Sequence, residues 1–165
     1  MNNKQMITIE LLTGIVREAS RLMVSDGFEI EQKGGCENIV TSSDVAVQNF
    51  LCERLLQLMP ESGFLCEEKD INDTRHEYTW IIDPIDGTAN YSRGIDQCAI
   101  CVGLKHDDEM EMGVVYLPRT NEMFHAEKGK GAYLNGKPIH VSNRPFGNAV
   151  LCTALPVYHK EYAEV

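Results

Sequence analysis

Apolar positions recur at helical spacing in two stretches near the start of the chain. In residues 8–26 they form one stripe, which predicts a helix with Gly27 as its C-terminal stop. Thr41 followed by Asp44 matches a capping box, in which two side chains satisfy the free N–H groups at a helix start. The apolar positions behind it predict a second helix over about residues 43–59.

Short apolar runs separated by turn residues follow, which is the pattern of successive β-strands. Asn135-Gly136 lies between two such runs and is a strong signal for a tight hairpin. Polar connections are expected at 31–37, as a mobile loop, and at 69–77. Two helices followed by hairpins indicate an α+β fold, in which two N-terminal helices pack on one face of a mainly antiparallel sheet. Strands are predicted at 63–67, 78–83, 97–105, 110–117, 122–127 and 131–134.

The composition excludes some classes of function but says less about the fold. With 165 residues, 43% of them hydrophobic, the chain is long enough for one globular domain. A net charge of −10 argues against nucleic acid as a partner, because that binding depends on Lys and Arg. No apolar run approaches membrane-spanning length and no signal-peptide core follows the polar N-terminus, so a cytoplasmic protein without a membrane partner is expected.

The six cysteines are expected to be reduced thiols rather than a metal site. Cys98 and Cys101 have C-x-x-C spacing, but there is no second pair and they lie in an apolar, strand-like run. An offset of three residues along a strand points the two side chains to opposite faces. Buried free thiols are therefore the prediction for both.

The strongest chemical signal follows the apolar run at 80–82. Asp83 and Asp86 come next, on either side of a proline whose fixed φ stiffens the loop. Carboxylates at the end of a buried strand are costly unless a cation meets them, and hard cations prefer oxygen ligands. Free N–H groups around Gly87 and Thr88 could hold an anion beside that cation, which is a layout for phosphate chemistry. The competing interpretation is a strand, a proline turn and a capping Asp.

The sequence WIIDPIDGTANY at 80–91 resembles the signature of the inositol monophosphatase family, Mg²⁺-dependent phosphomonoesterases related to fructose bisphosphatase. The resemblance covers about residues 8–153 and depends on several ordered motifs that agree, rather than on one. It implies the first layers of the family's α-β-α-β-α sandwich. Further segments resemble family motifs at 38–44, 63–68, 113–116 and 128–132.

The resemblance implies a metal centre built from carboxylates. Glu67, Asp83 and the backbone carbonyl of Ile85 would hold a first Mg²⁺. Asp83 would bridge to a second ion that Asp86 also holds. Two or three ions are implied in total, with Mn²⁺ as a substitute and Li⁺ and Ca²⁺ as inhibitors. Three carboxylates around paired cations would no longer repel one another at close range.

The resemblance also implies roles in catalysis and substrate binding. Thr88 with Asp44 would orient the attacking water and take its proton, which is a general-base role. Gly87 and Thr88 would bind the phosphate through backbone N–H groups, and Asp86 would contact the substrate as well. Taken singly, Asp44 and Thr88 could instead be helix caps, so it is their joint order and spacing that supports the roles.

Two further residues are candidates on weaker grounds. Lys33 matches a family position near the phosphate, although a Lys in a polar loop is more often simply solvated. Glu68 follows Glu67 directly, and the pair could equally be a solvated strand end. Asn38 stands where the family often has Asp, which changes the expected loop contacts.

The implied activity is Mg²⁺-dependent hydrolysis of a small phosphorylated polyol or sugar, inositol monophosphate or a related sugar phosphate, by a homodimer. Fructose bisphosphate and adenosine bisphosphate are alternative substrates. Residues 1–148 are predicted to form the family-like domain, and 149–165 to begin a second α/β layer that is missing or truncated. Trp80 is the only tryptophan, so the family's later Trp-Asp metal motif is absent. A non-catalytic remnant that binds metal or a partner is therefore the competing hypothesis.

Overall fold

Two helices lie on one face of an eight-stranded sheet in the computed structural model, which describes residues 7–24, 27–32, 39–68 and 72–150. None of the helices in these ranges is long and apolar enough to cross a membrane. The elements are α1 (Ile9–Ala19), β1 (Ile30–Gln32), β2 (Ile39–Thr41), α2 (Ser42–Leu58), β3 (Gly63–Cys66), β4 (Asn72–Asp73), β5 (Tyr78–Asp86), α3 (Thr88–Tyr91), β6 (Ala99–His106), β7 (Glu109–Leu117), β8 (Glu122–Glu127), β9 (Gly131–Leu134) and β10 (Lys137–Ile139).

The main sheet has the order β10-β9-β8-β7-β6-β5-β3-β4, and only the β3–β5 pair is parallel among the strands described. The predicted α+β class with a mainly antiparallel sheet is therefore confirmed. The β9–β10 hairpin turns at Asn135 and Gly136, whose φ values are +49° and +76°. Both residues tolerate the left-handed region, which explains why this dipeptide predicted the turn correctly.

The core lies between the helices and one sheet face. Alternate residues of β5 and β6 point to this face, and Trp80 and Ile100 are completely buried there. Leu12 of α1 and Leu51 of α2 are equally buried on the helix side. Burial of each such side chain contributes about 1.5–3 kcal/mol, so this layer fixes β5, which carries the predicted site.

The two predicted helices form, with one boundary displaced. The α-helical part of α1 ends at Ala19, and a 3₁₀ turn continues to Leu22, so the helix does not extend to residue 26. The capping box of α2 is confirmed. Thr41 N–H donates to Asp44 Oδ2 at 2.8 Å, and Asp44 N–H donates to Thr41 Oγ1 at 3.4 Å.

The predicted end of the central strand was wrong. β5 does not stop at Asp83 but continues through Pro84 to Asp86, with its register against β6 shifted between Asp83 and Asp86. Proline cannot donate a ladder hydrogen bond, and the irregular register at this point leaves it no ladder bond to donate. The carboxylates of Asp83 and Asp86 therefore belong to one strand end rather than to a separate loop.

Two smaller expectations also changed, and a third stays untested. Residues 31–32 of the predicted mobile loop belong to β1, which pairs with β2, and 33–38 lie outside the described residues. The connection at 69–77 contains the two-residue edge strand β4. Ala149 and Val150 are in no strand, and residues 151–165 are not described, so the second-layer boundary at 149 stays a prediction.

The sheet face opposite the helices is open and apolar. A row of small residues crosses its centre, where Gly103, Gly113, Ala126 and Ala132 are register partners on β6 to β9. Larger apolar side chains flank the row and enclose a groove of ≈ 670 Å³. Val115 lines this groove and is 39% exposed.

We expect the 165-residue chain, produced alone, to self-associate through this face, because large exposed apolar patches normally become interfaces. Light scattering checks this. Val115→Glu should weaken association at least tenfold, while Leu56→Glu, at an apolar position of α2 that is 45% exposed, should not. A clean monomer at high concentration would contradict the expectation.

Candidate active site

The carboxyl end of β5 brings acidic side chains to the rim of the open groove. Glu67 and Asp83 both line it, and the parallel pairing of β3 with β5 places them side by side. Glu67 N–H donates to the carbonyl of Ile82 at 3.0 Å, which extends the ladder by one residue beyond β3. The Oδ1 atom of Asp83 is buried and has no hydrogen-bond partner among the described residues. A buried carboxylate oxygen in that condition is costly unless a cation or a proton meets it.

The electrostatics of Asp83 follow from this packing. Burial raises the pKa of Asp83 to about 8, and a hydrogen bond with Glu67 and the negative charges of Glu67, Asp86 and Asp44 act in the same direction. Because two ionised carboxylates cannot donate to each other, the hydrogen bond between Asp83 and Glu67 forms only when they share a proton. A divalent cation could replace that proton, so the donor set fits a hard cation such as Mg²⁺.

Asp44 joins the N-terminus of α2 to the start of α3. Its Oδ2 accepts from the backbone N–H and the hydroxyl of Thr41, and its Oδ1 accepts from Thr88 Oγ1 at 3.1 Å. Asp44 is 1% exposed, so these bonds replace its hydration. Asp44 is thus a helix cap through Oδ2, while Oδ1 contacts Thr88; its catalytic role stays a prediction.

Thr88 lies between two acceptors. Its Oγ1 is 3.1 Å from Asp44 Oδ1 and 3.0 Å from the carbonyl oxygen of Ile85, and its one proton is donated to one of them at a time. The carbonyl of Ile85 retains a second lone pair for another partner. The structure therefore brings Thr88, Asp44 and Ile85 together, whereas the roles assigned to them stay predictions.

Gly87 makes the turn from β5 into α3. Its φ is +85°, and a Cβ atom there would lie 2.8 Å from the carbonyl oxygen of Gln97. Only glycine combines the left-handed backbone with this close approach. α3 is a single turn of four residues, so any anion-binding N–H groups belong to this tight turn rather than to a long helix.

Tyr91 fixes α3 from its other end. It is 2% exposed, and its hydroxyl donates to the carbonyl of Val24 at 2.6 Å and to Ser43 Oγ at 2.9 Å as alternative acceptors. The sequence placed Tyr91 in the family signature but did not predict these contacts, because its partners lie 67 and 48 residues away.

Cys101 is only half-buried, so the prediction of a buried thiol was wrong for it, and its neighbours were not foreseen. It is the register partner of Asp83 on β6, and it lies on the groove face. Burial raises the pKa of the Cys101 thiol to about 12, and the charges of Asp83, Asp86 and Glu67 add to the effect. Cys98 is buried with Ile85 and Tyr91 instead, as predicted, but it lies just before β6, so the offset along a strand does not explain its position. Both are free thiols.

The two weaker candidates, Lys33 and Glu68, differ from the residues above. Lys33 lies outside the described residues, as does Asn38. Glu68 is 3% exposed rather than solvated, and its main chain is held by the side chain of Gln48. Within the part of the chain that the structure describes, no three His, Cys, Asp or Glu side chains are close enough to form a ready-made metal cluster. The carboxylates around Asp83 therefore interact through charge without forming a closed coordination shell.

We expect the stability of the metal-free chain to fall as the pH rises from about 4 to about 8. The folded chain holds the Asp83 proton with a pKa of about 8, against about 3.9 in the unfolded chain, so the native state binds more protons between these values. The loss should be on the order of 1–2 kcal/mol after solvent screening.

Urea denaturation in the presence of a chelator checks this effect. The pH series should be compared with the same series for Asp83→Asn, in which this slope should disappear. A slope that is identical in both proteins would mean that other groups cause it.

The sequence model of the inositol monophosphatase family matches residues 3–164. The chain is 36% identical over 148 residues to an inositol-1-monophosphatase of Caulobacter vibrioides, which covers 85% of this chain and 58% of that protein. It is 32% identical over 140 residues to the Nus factor SuhB of Escherichia coli, with 84% and 52% covered. A solved structure of the Thermotoga maritima IMPase superposes with a TM-score of 0.76 and 30% identity, covering 82% of this chain and 54% of that one. The chain thus spans about half the length of these relatives.

Proposed function

The chain belongs to the inositol monophosphatase family, and from this premise we propose that it forms the cation-binding part of a phosphomonoesterase. The proposed cation is Mg²⁺, with Mn²⁺ as a substitute and Li⁺ and Ca²⁺ as inhibitors. The proposed substrate is a small phosphorylated polyol or sugar, with inositol monophosphate as the first candidate. The proposed assembly is a homodimer.

The proposal depends mainly on the buried oxygen and the raised pKa of the Asp83 carboxyl group. Its buried Oδ1 has no partner in the described ranges, and burial, together with the neighbouring carboxylates, raises the pKa of Asp83 to about 8. A structural carboxylate would be expected to have an Arg, a Lys or backbone N–H groups beside it. A site that holds a proton where its carboxylates meet is well prepared to exchange it for a cation.

The proposed cation ligands are Glu67, Asp83, Asp86 and the carbonyl of Ile85. A bound divalent cation polarises a phosphate oxygen and lowers the pKa of the attacking water. Asp83 can serve two ions because it has two oxygens, and Oδ1 is free of other hydrogen bonds among the described residues. Asp86 is exposed, so it can contact the substrate as well as a cation.

Thr88 and Asp44 are proposed to take the proton from the attacking water. Thr88 Oγ1 accepts a proton from the attacking water while its own proton passes to Asp44 Oδ1, 3.1 Å away. The water oxygen bonds to phosphorus as the ester P–O bond breaks, and the departing alkoxide takes up a proton from solvent. Thr41 holds Asp44 in place through both its N–H and its hydroxyl.

The phosphate is proposed to lie against the turn at Gly87. The left-handed Gly87 and the start of α3 at Thr88 can present backbone N–H groups to an anion. Selection among inositol monophosphate, fructose bisphosphate and adenosine bisphosphate would depend on groups beyond these residues.

Phosphate release tests the proposal. The product of the complete reading frame should release phosphate from inositol 1-phosphate, with fructose 1,6-bisphosphate and adenosine 3′,5′-bisphosphate as comparisons, and only while Mg²⁺ is present. Asp86→Asn should abolish release while the melting temperature stays within a few degrees, because its side chain is exposed. No release from any ester would favour the non-catalytic alternative.

A further inference from the structure

Gln48 has an unusual environment for an amide side chain. It lies in the middle of α2 and is 1% exposed. Burial of an amide is costly unless its hydrogen bonds are made. Its Nε2 donates to the main-chain carbonyl of Glu68, and its Oε1 accepts from the main-chain N–H of the same residue at 3.0 Å. The side chain therefore pairs with residue 68 as a neighbouring strand would.

The segment that Gln48 holds carries Glu67. β3 ends at Cys66, which is the register partner of Ile82, and Glu67 N–H donates to the carbonyl of Ile82 at 3.0 Å. Gln48 then ties the next residue to α2. The main chain of Glu67 is thus bonded to β5, and the main chain of the next residue, Glu68, makes two bonds to the side chain of Gln48 on α2.

We infer that Gln48 is a positioning residue for the cation site, fixing the main chain beyond Glu67 so that this carboxylate stays beside Asp83. The inference rests on the proposed function, since Glu67 is one of the proposed ligands. An amide suits the task because it offers one donor and one acceptor, as the backbone requires, and brings no charge to a site already crowded with carboxylates. Removal of a group that orients a metal ligand in this way typically lowers the metal affinity by roughly 10–100-fold.

A merely structural role for Gln48 gives a different expectation. Ser62 is a matched control because it is 5% exposed and its Oγ donates to the carbonyl of Met59 at 2.7 Å. It lies in the turn between the same two elements, α2 and β3, just before β3 begins and away from Glu67. If Gln48 only stabilises the fold, Gln48→Met and Ser62→Ala should both lower the melting temperature and leave cation binding alone.

Mn²⁺ binding, followed by the electron paramagnetic resonance of the free ion, separates these roles. The full chain should be compared as wild type, Gln48→Met, Ser62→Ala and Asp83→Asn, at a temperature where circular dichroism shows each to be folded. Gln48→Met should weaken Mn²⁺ binding by roughly tenfold or more, and Ser62→Ala by less than twofold. Equal binding by wild type and Gln48→Met, with binding lost in Asp83→Asn, would overturn the role of Gln48 alone. No Mn²⁺ binding by the wild type would overturn the proposed function and this inference together.

Hydrogen exchange on the wild-type chain provides a test that needs no variant. If Gln48 positions the segment, the Glu68 N–H should exchange as slowly as the N–H of Val102 in the core strand β6, before any Mg²⁺ is added. Fast exchange at Glu68 that slows only with Mg²⁺ would overturn the inference, because the cation would then be ordering the segment.

Discussion

Asp83→Asn is expected to lower Mg²⁺-dependent phosphate release by the complete protein roughly a thousandfold, which corresponds to about 4 kcal/mol of transition-state stabilisation. The amide is nearly the same size as the carboxylate but carries no charge, so it is a poor ligand for a hard cation. Release should be measured from inositol 1-phosphate over a range of Mg²⁺ concentrations.

The stability of the same variant should change in the opposite direction. In the metal-free chain at pH 8 or above, Asp83→Asn should be at least as stable as the wild type, because it removes a buried charge that repels its neighbours. Asp108→Asn is the control. Asp108 is fully exposed, and its Oδ1 forms only a surface ion pair with Lys105 Nζ at 3.9 Å, an interaction that contributes little to stability. Activity within tenfold of wild type in Asp83→Asn would exclude it as a ligand.

Thr88→Val is expected to lower kcat by roughly 10²–10⁴-fold, the range of a lost proton-transfer partner. Valine has nearly the shape of threonine but cannot pass a proton to Asp44, while the carboxylates that would hold the cation are unchanged. The Mg²⁺ concentration for half-maximal activity should therefore stay within about threefold. Steady-state kinetics at several Mg²⁺ concentrations measure both quantities.

Thr88→Ser is the matched comparison for this change. Serine keeps the hydroxyl, which donates to Asp44 or to the carbonyl of Ile85, so it should retain activity within about tenfold of wild type. If the valine and serine variants lose activity equally, the methyl group rather than the hydroxyl matters. The role of Thr88 would then be packing.

Local signals in the sequence were sufficient for the elements that depend on local chemistry. The box from Thr41 to Asp44 defines the start of α2 through bonds three residues apart, and Asn135-Gly136 defines a turn through backbone freedom. β8 and β9 were predicted with the bounds that the structure has. Each of these signals lies within a few residues of its effect.

The remaining features depend on contacts that only the folded chain brings together. The course of β5 through Pro84 depends on the register of β6 at that point. Gln48 looks like any polar helix residue, yet its partner is 20 residues away on another element. The pKa of Asp83 depends on its burial and on carboxylates from α2, the end of β3 and β5 at once. Sequence resemblance could name these carboxylates, but not show which one holds the proton.

Proton release during Mg²⁺ titration is the measurement that tests the cation site most directly. Calorimetric titrations of the chain at pH 7, in buffers of different ionisation enthalpy, count the protons released for each Mg²⁺ site filled. With a pKa of about 8, Asp83 is mostly protonated at pH 7, so about one proton should leave as Mg²⁺ binds, and the count should fall towards zero above pH 9. Binding without proton release at pH 7, or binding that is unchanged in Asp83→Asn, would contradict the site described here.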